Sequence, residues 1–156
     1  MAIVISEANK SKYETWFSRA IADDAVWPYL SFDKWVEMKK VDNGDWARVV
    51  LMDDSENALL VWTQDRDSGN HSANVCLWSL SGPSQRMAAG KLCLSLDGLA
   101  RRYGVSFVDA ACHASNDNSL HILERRFGSP WGVKPRGAWN GKLGVFEDSV
   151  HFRVAA

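Results

Sequence analysis

No stretch of this chain approaches the ~20 consecutive apolar residues that a bilayer-spanning helix needs. The opening residues, MAIVISEANKSK, lack the basic segment and long apolar run of a secretory leader. An excess of one charge is also missing. Lys and Arg number 18 against 19 Asp and Glu, a formal net charge of -1 over 156 residues, so no global field draws the protein to nucleic acid or to an anionic membrane. The basic residues are not clustered, which argues against a nucleic-acid binder. Cysteine is scarce. Cys76, Cys93 and Cys112 are odd in number and lack metal-type spacing. All three fall in elements expected in the core, so buried free thiols in a reducing, cytoplasmic compartment are expected, with no metal site and no reactive thiol. Repeats, linkers and low-complexity tracts are absent, so residues 1–156 read as one domain, long enough for a real core.

Tryptophan is abundant, with eight residues. Core packing accounts for most of them; Trp27 and Trp35, flanking Pro28 in a loop, could instead line a substrate mouth or a protein contact. Ala2–Ser6 reads as a strand and Glu7–Ala22 as a helix with Tyr13, Trp16, Phe17 and Ala20 on one face. A loop and a short helix, Phe32–Lys40 behind Ser31 as N-cap, come next. Trp46–Met52 and Asn57–Gln64 form a hairpin around the acidic turn Asp53–Glu56, read as solvated rather than metal-binding.

The most informative stretch is Leu80–Gly104, LSGPSQRMAAGKLCLSLDGLARRYG. The apolar run Ala73–Leu80 before it reads as a strand, broken by Ser81-Gly82-Pro83-Ser84. Leu92, Leu96, Leu99 and Tyr103 then recur at helical spacing, read as one continuous helix with Gly104 as its C-cap, and Val105–Ala111 is the next strand. The first amides of a helix have no intrahelical partner and sit at the positive end of its dipole, so a phosphate is a natural guest there.

Gln85-Arg86-Met87-Ala88-Ala89-Gly90 resembles the acyl-CoA loop Gln/Arg-x-x-Gly-x-Gly/Ala of the Gcn5-related N-acetyltransferase (GNAT) superfamily. Asn116-Asp117-Asn118-Ser119 and Glu124-Arg125-Arg126-Phe127-Gly128 are similar to the helix that follows in that family, which opens Asn-x-x-Ser/Ala and ends near Glu-Lys-x-Gly-Phe. Trp131–Gly137 and Asp148–Val154 look like its last two strands. The resemblance covers residues 70–154 by motif and the first half by element order, β-α-α-β-β-β-α-β-α-β-β. It implies an α/β (α+β) fold, with a central mixed, mostly antiparallel sheet flanked by about four helices and splayed where acyl-CoA enters.

The resemblance further implies an N-acyltransferase using acetyl-CoA as co-substrate, with no metal. Backbone near Leu77 and Ser79 would hold the pantetheine arm. The Gln85–Gly90 stretch, with amides from Met87 to Lys91, would take the pyrophosphate. Asn116 would bond the pantetheine, and Ser119 or Arg126 other parts of CoA. The acceptor amine, on a small molecule or a protein, would attack directly. A proton acceptor is then needed. His113, just past the strand that borders the gap, is the first candidate, and Asp109 in mid-strand the alternative; water relayed to Asp65 or Asp67 is a third route. Three departures stand out. Ala88 replaces a glycine, so its methyl is expected to crowd a phosphate oxygen. Leu123 stands where many members carry a tyrosine acid. No carboxylate lies within Ala73–Leu80. They keep open a second reading, a catalytically degenerate member with a structural or interaction role in a larger assembly or homo-oligomer, for example a phage virion.

Overall fold

A computed structural model describes residues 2–30, 47–64 and 71–156. The expected helix at 32–40, Trp35, Trp46, Asp65 and Asp67 lie outside the described residues. The chain runs β1 (Ile3–Val4), α1 (Lys10–Ile21), β2 (Ala47–Met52), β3 (Ala58–Gln64), β4 (Ser72–Ser79), α2 (Gln85–Cys93), α3 (Leu96–Tyr103), β5 (Phe107–His113), α4 (Asp117–Phe127), β6 (Gly132–Asn140) and β7 (Val145–Ala155), with a 3-10 turn at Trp27–Tyr29. The strands form one seven-stranded sheet in the order β1-β2-β3-β4-β5-β7-β6. Among the described residues only β4 and β5 pair in parallel. The sheet is mixed and mostly antiparallel, as its motifs imply.

The strands are apolar on both sides because both faces are covered. On one face, Leu60, Trp62, Val75, Val108, Ala110 and Phe152 pack against Leu92, Leu96, Leu99, Leu123 and Phe127 from α2, α3 and α4. On the other, Val50, Met52, Leu59, Val61 and Trp78 meet Tyr13, Trp16 and Ala20, the stripe at i, i+3 and i+7 of α1. Trp16 is fully buried, worth roughly 1.5–3 kcal/mol for a large side chain, and its indole Nε1 donates to the Asn57 carbonyl at 3.0 Å.

The single helix expected to carry Leu92, Leu96, Leu99 and Tyr103 up to Gly104 is two helices. Leu94 N and Ser95 N reach back only three residues, to Lys91 O and Leu92 O, which tightens the turn. This turns Leu94 to solvent, 79% exposed, and keeps Leu92 and Leu96 both buried. The 92-96-99 spacing runs straight across the break, so periodicity alone does not register it. Gly104 caps α3 at φ 64, where a side chain is strained. The last hairpin is longer than its sequence implies, running to Asn140 and back from Val145 through a register shift between Lys134 and Ala138. Among the described residues the most exposed tryptophans, Trp131 and Trp139, sit here.

Candidate active site

The parallel ladder of β4 and β5 stops at Val75↔Ala110, yet β4 continues to Ser79 and β5 to His113. The two strands part there. Each is held on its far side, β4 by β3 up to Ser79↔Ala58 and β5 by β7 up to His113↔Ser149, so their backbone edges on the near side open into a cleft.

The turn Trp27–Tyr29 lies over this cleft, and three contacts hold it there. Asp23, just after α1, accepts from Ser81 N and from Ser81 Oγ, both at 2.9 Å. Trp78 Nε1 donates to the Tyr29 carbonyl at 3.0 Å. The Tyr29 hydroxyl stands 3.2 Å from Ser115 Oγ. Trp27 packs on Gly141 of the last hairpin, where an added Cβ would meet the indole at 2.8 Å, so this glycine sets the close approach of turn to hairpin. The cleft under Tyr29 forms two narrow slots of about 40 and 50 Å3. Leu77, Ser79, Gln85, Ala89, Asn116 and Ser119 line the first slot; Leu77, Cys76, Cys112, His113, Asn116 and Ser119 line the second.

Most of the residues singled out in the sequence therefore border one cleft, but several do other work than expected. The Gln85 amide clasps the end of β4, donating from Nε2 to Ser79 O at 3.2 Å while Ser79 Oγ donates to Gln85 O at 3.1 Å. Because α2 starts at Gln85, Ala88 N is already bonded to Ser84 O at 2.9 Å, and amides beyond it are committed within the helix. The amides without an intrahelical partner belong to Arg86 and Met87, so a pyrophosphate has fewer donors than the Met87–Lys91 expectation gave it. Ala88 is 3% exposed, its methyl packed in the core, and crowds nothing in the cleft. Gly90 is a mid-helix residue with open space at its Cβ position, not a turn residue pressed on phosphates. Lys91 faces away, 3.8 Å from Asp54. Met87 is 65% exposed. Arg86, Gly90 and Arg126 instead border a groove of about 300 Å3 between α2 and α4, with His121 and Arg125; Arg126 also holds Asp97 at 3.1 Å. Asn116 is the N-cap of α4, its Oδ1 accepting from Ser119 N at 3.3 Å.

Asp109 is corrected as a base. It sits below the fork, beside Asn74 in the paired ladder, and both its oxygens accept from Arg153, at 2.6 and 2.9 Å. The guanidinium is itself stacked, 4.8 Å from the Phe107 ring centre and 5.6 Å from that of Trp131. A carboxylate with both oxygens so engaged is taken up by the sheet rather than offered to the cleft.

His113 is different. Its side chain is 15% exposed, the Tyr29 ring meets it edge-on at 5.0 Å, and burial holds its imidazole below the ordinary histidine value although the Glu147 carboxylate pulls the other way. A neutral imidazole results at pH 7. Glu147, Ser115, Asn140 and Tyr29 around it escape sequence reasoning. The one available signal is the alternation Glu147, Ser149, His151, Arg153, a polar stripe along β7 on the face that borders the cleft.

The cysteines stay out of the chemistry. Cys76 and Cys112 line the slot, but burial pushes their thiols up to about 11 and about 12, far from a thiolate at neutral pH. In the turn at 53–56, Asp53 is buried and accepts from Asn57 N at 2.8 Å and Ala58 N at 2.7 Å. Among the described residues no cluster of three potential metal ligands occurs, and no helix is long and apolar enough to cross a membrane.

An open mixed sheet forked between its two parallel strands, with a helix starting just beyond the fork, defines a class of proteins. It is the GNAT fold, and this chain has it. No protein-family model and no curated protein matches the sequence, so the likeness is one of structure. RimJ of Mycobacterium smegmatis, solved in complex with a CoA-disulfide, is 16% identical, with 99% of this chain and 81% of that one aligned at a TM-score of 0.73. A GCN5-related N-acetyltransferase from Kribbella flavida is 13% identical, with 100% and 97% aligned at 0.70. The ribosomal-protein-S18-alanine N-acetyltransferase of Escherichia coli is 13% identical, with 99% and 92% aligned at 0.63.

Proposed function

We propose that this chain is an acyl-CoA-dependent N-acyltransferase that moves an acetyl group onto a primary amine. One observation carries the reading: β4 and β5 separate after Val75 and Ala110, and their backbone edges face a narrow slot. The pantetheine arm has that shape and can add itself as a strand between them. The groove between α2 and α4, with Arg86, Arg125 and Arg126, offers guanidinium forks to the phosphates at the other end of CoA. The RimJ structure holding a CoA-disulfide supports the choice of ligand.

The amine reaches the thioester from the side of His113 and Tyr29. Its ammonium gives a proton to the neutral imidazole. The freed lone pair forms the N–C bond on the carbonyl carbon, the C–S bond breaks, and the electron pair leaves on sulfur. The second proton on the amine nitrogen passes through water to the thiolate, which leaves the amide and free CoA. His113 is the base in this scheme.

A second reading, a retired catalyst kept as a scaffold, is favoured by a separate observation. Leu123, in the place of the family's tyrosine acid, is 4% exposed and packed in the core, so that position supplies no proton to the leaving sulfur. An assay for free CoA release over a panel of primary amines and peptide N-termini separates the two. Turnover on at least one acceptor is expected of the enzyme. Tight acetyl-CoA binding with no turnover on any acceptor means the scaffold.

A further inference from the structure

We propose that Glu147 is the positioning residue of the site: it fixes the His113 ring with the Nδ1 proton toward β7, so that Nε2 is the nitrogen offered to the cleft. The proposal rests on His113 acting as the base. Glu147 lies on β7 next to the end of β5, and its side chain is 13% exposed. One carboxylate oxygen accepts from Ser115 N at 2.8 Å, and the other from Ser115 Oγ at 2.9 Å and from Asn140 Nδ2 at 2.6 Å. Three donors from two loops thus lock the group in place and hold it in its charged form, since these bonds outweigh the rise that burial alone would bring. The locked carboxylate stands 3.6 Å from His113 Nδ1. That nitrogen is buried and makes no hydrogen bond.

A buried ring nitrogen next to a fixed carboxylate must carry the proton, because a lone pair there would face negative charge. At 3.6 Å the contact is an ion-pair approach rather than a formed hydrogen bond; resting catalytic contacts are often loose and tighten during the reaction. When His113 takes the amine proton, it becomes an imidazolium in a partly dry site. Glu147 supplies the opposing charge there. Around the ring, among the described residues, the titratable groups are Glu147 from β7, the Tyr29 phenol from the overlying turn, and the Cys76 thiol on β4 and the Cys112 thiol on β5 that line the slot. Glu147, held in its charged form by its donors, is the carboxylate among them. Ser115 couples the device to the turn, since its hydroxyl contacts both Glu147 and the Tyr29 hydroxyl.

The test is NMR of the imidazole nitrogens, which needs no activity. In the unmodified protein, long-range nitrogen–proton couplings should identify His113 as the Nδ1–H tautomer; an Nε2–H tautomer overturns the proposal. In Glu147→Gln the His113 titration midpoint should fall, because the group that pulls it up is gone, and the tautomer preference should weaken; an unchanged midpoint and tautomer overturn it. Glu147→Asp, which keeps the charge, should restore most of the midpoint. Turnover of the Glu147→Gln protein should fall at least about tenfold, since the wrong tautomer presents a donor where an acceptor is needed. If the unmodified protein shows the Nδ1–H tautomer and the midpoint shift yet turns over no amine, the positioning device stands and the enzymatic reading is what fails.

Discussion

Replacing His113 by alanine is expected to lower kcat by about 10²–10⁴, the usual cost of losing a general base, while acetyl-CoA affinity stays within a few-fold. That is about 2.7–5.4 kcal/mol of barrier. The split between turnover and affinity follows from position. His113 is at the end of β5, past the last pairing with β4, and borders the slot only where Tyr29 covers it. The CoA arm and phosphates depend on other residues, Leu77, Asn116 and the groove arginines among them. The pH profile gives a second check. Burial depresses the imidazole value, so the protein holds a neutral base at pH 7. Activity should then be lost only as the pH falls below the ordinary histidine value near 6.5, and that acid limb should vanish in His113→Ala. Asp109→Asn should behave in the opposite way, keeping turnover but weakening the fold, because it leaves the stacked Arg153 without its carboxylate. Retained kcat in His113→Ala would remove the imidazole from the mechanism.

The second large effect lies outside the cleft, in the turn between β2 and β3. Asp53→Ala should destabilise the protein by on the order of 3 kcal/mol, since buried donors left without an acceptor cost about 1–3 kcal/mol each. Asp53 is 2% exposed. Its oxygens receive Asn57 N, Ala58 N, Ser55 N and the Ser55 hydroxyl, and these bonds fix the loop from which Asn57 caps the Trp16 indole. For a chain of this size the melting temperature should drop by roughly 6–12 °C. Burial alone would raise the carboxyl pKa, but the hydrogen bonds from Ser55, Ala58 and Asn57 outweigh it and hold it below the ordinary value. Its contribution is therefore complete above the unfolded value near 4 and is lost as the pH falls through the folded value. Urea unfolding followed by tryptophan fluorescence at pH 7 and again near pH 3 should show the mutant and parent converging at the lower pH. Equal stabilities at pH 7 would mean that the turn is not held by this carboxylate.

The fold was legible because its signals are local. The run Ala73–Leu80, the breaking turn at 81–84 and the cap glycine at 104 mark a strand, a loop and a helix end without help from distant residues. The break at Leu94–Ser95 was not legible, because an apolar stripe spaced four and three continues across a tightened turn. The cleft was half legible. Leu77, Ser79, Asn116, Ser119 and His113 lie along it because each sits at a strand or helix end, which element order fixes. Ala88, Gly90 and Lys91 were misjudged by the placing of one boundary: starting the helix at Gln85 turns the expected loop into helix, buries Ala88 with Ala89 and leaves Gly90 and Lys91 on the exposed side. Glu147 and Tyr29 reach His113 through antiparallel register and a loop crossing, 34 and 84 positions away by number, and no short-range pattern encodes that. Asp109 was misread for the same reason, since its partner Arg153 is set by the β5–β7 register.

The account's central claim is that the fork between β4 and β5 is an acyl-CoA site. Thermal unfolding with and without acetyl-CoA tests it most directly, with free adenosine as the control for adventitious nucleotide binding. At a hundred times its dissociation constant, acetyl-CoA should add about 2.7 kcal/mol of stability, a rise of roughly 5–11 °C for a chain of this length, while adenosine at the same concentration leaves the transition where it was. An unmoved melting temperature at millimolar acetyl-CoA would contradict the claim and leave the forked sheet without its ligand.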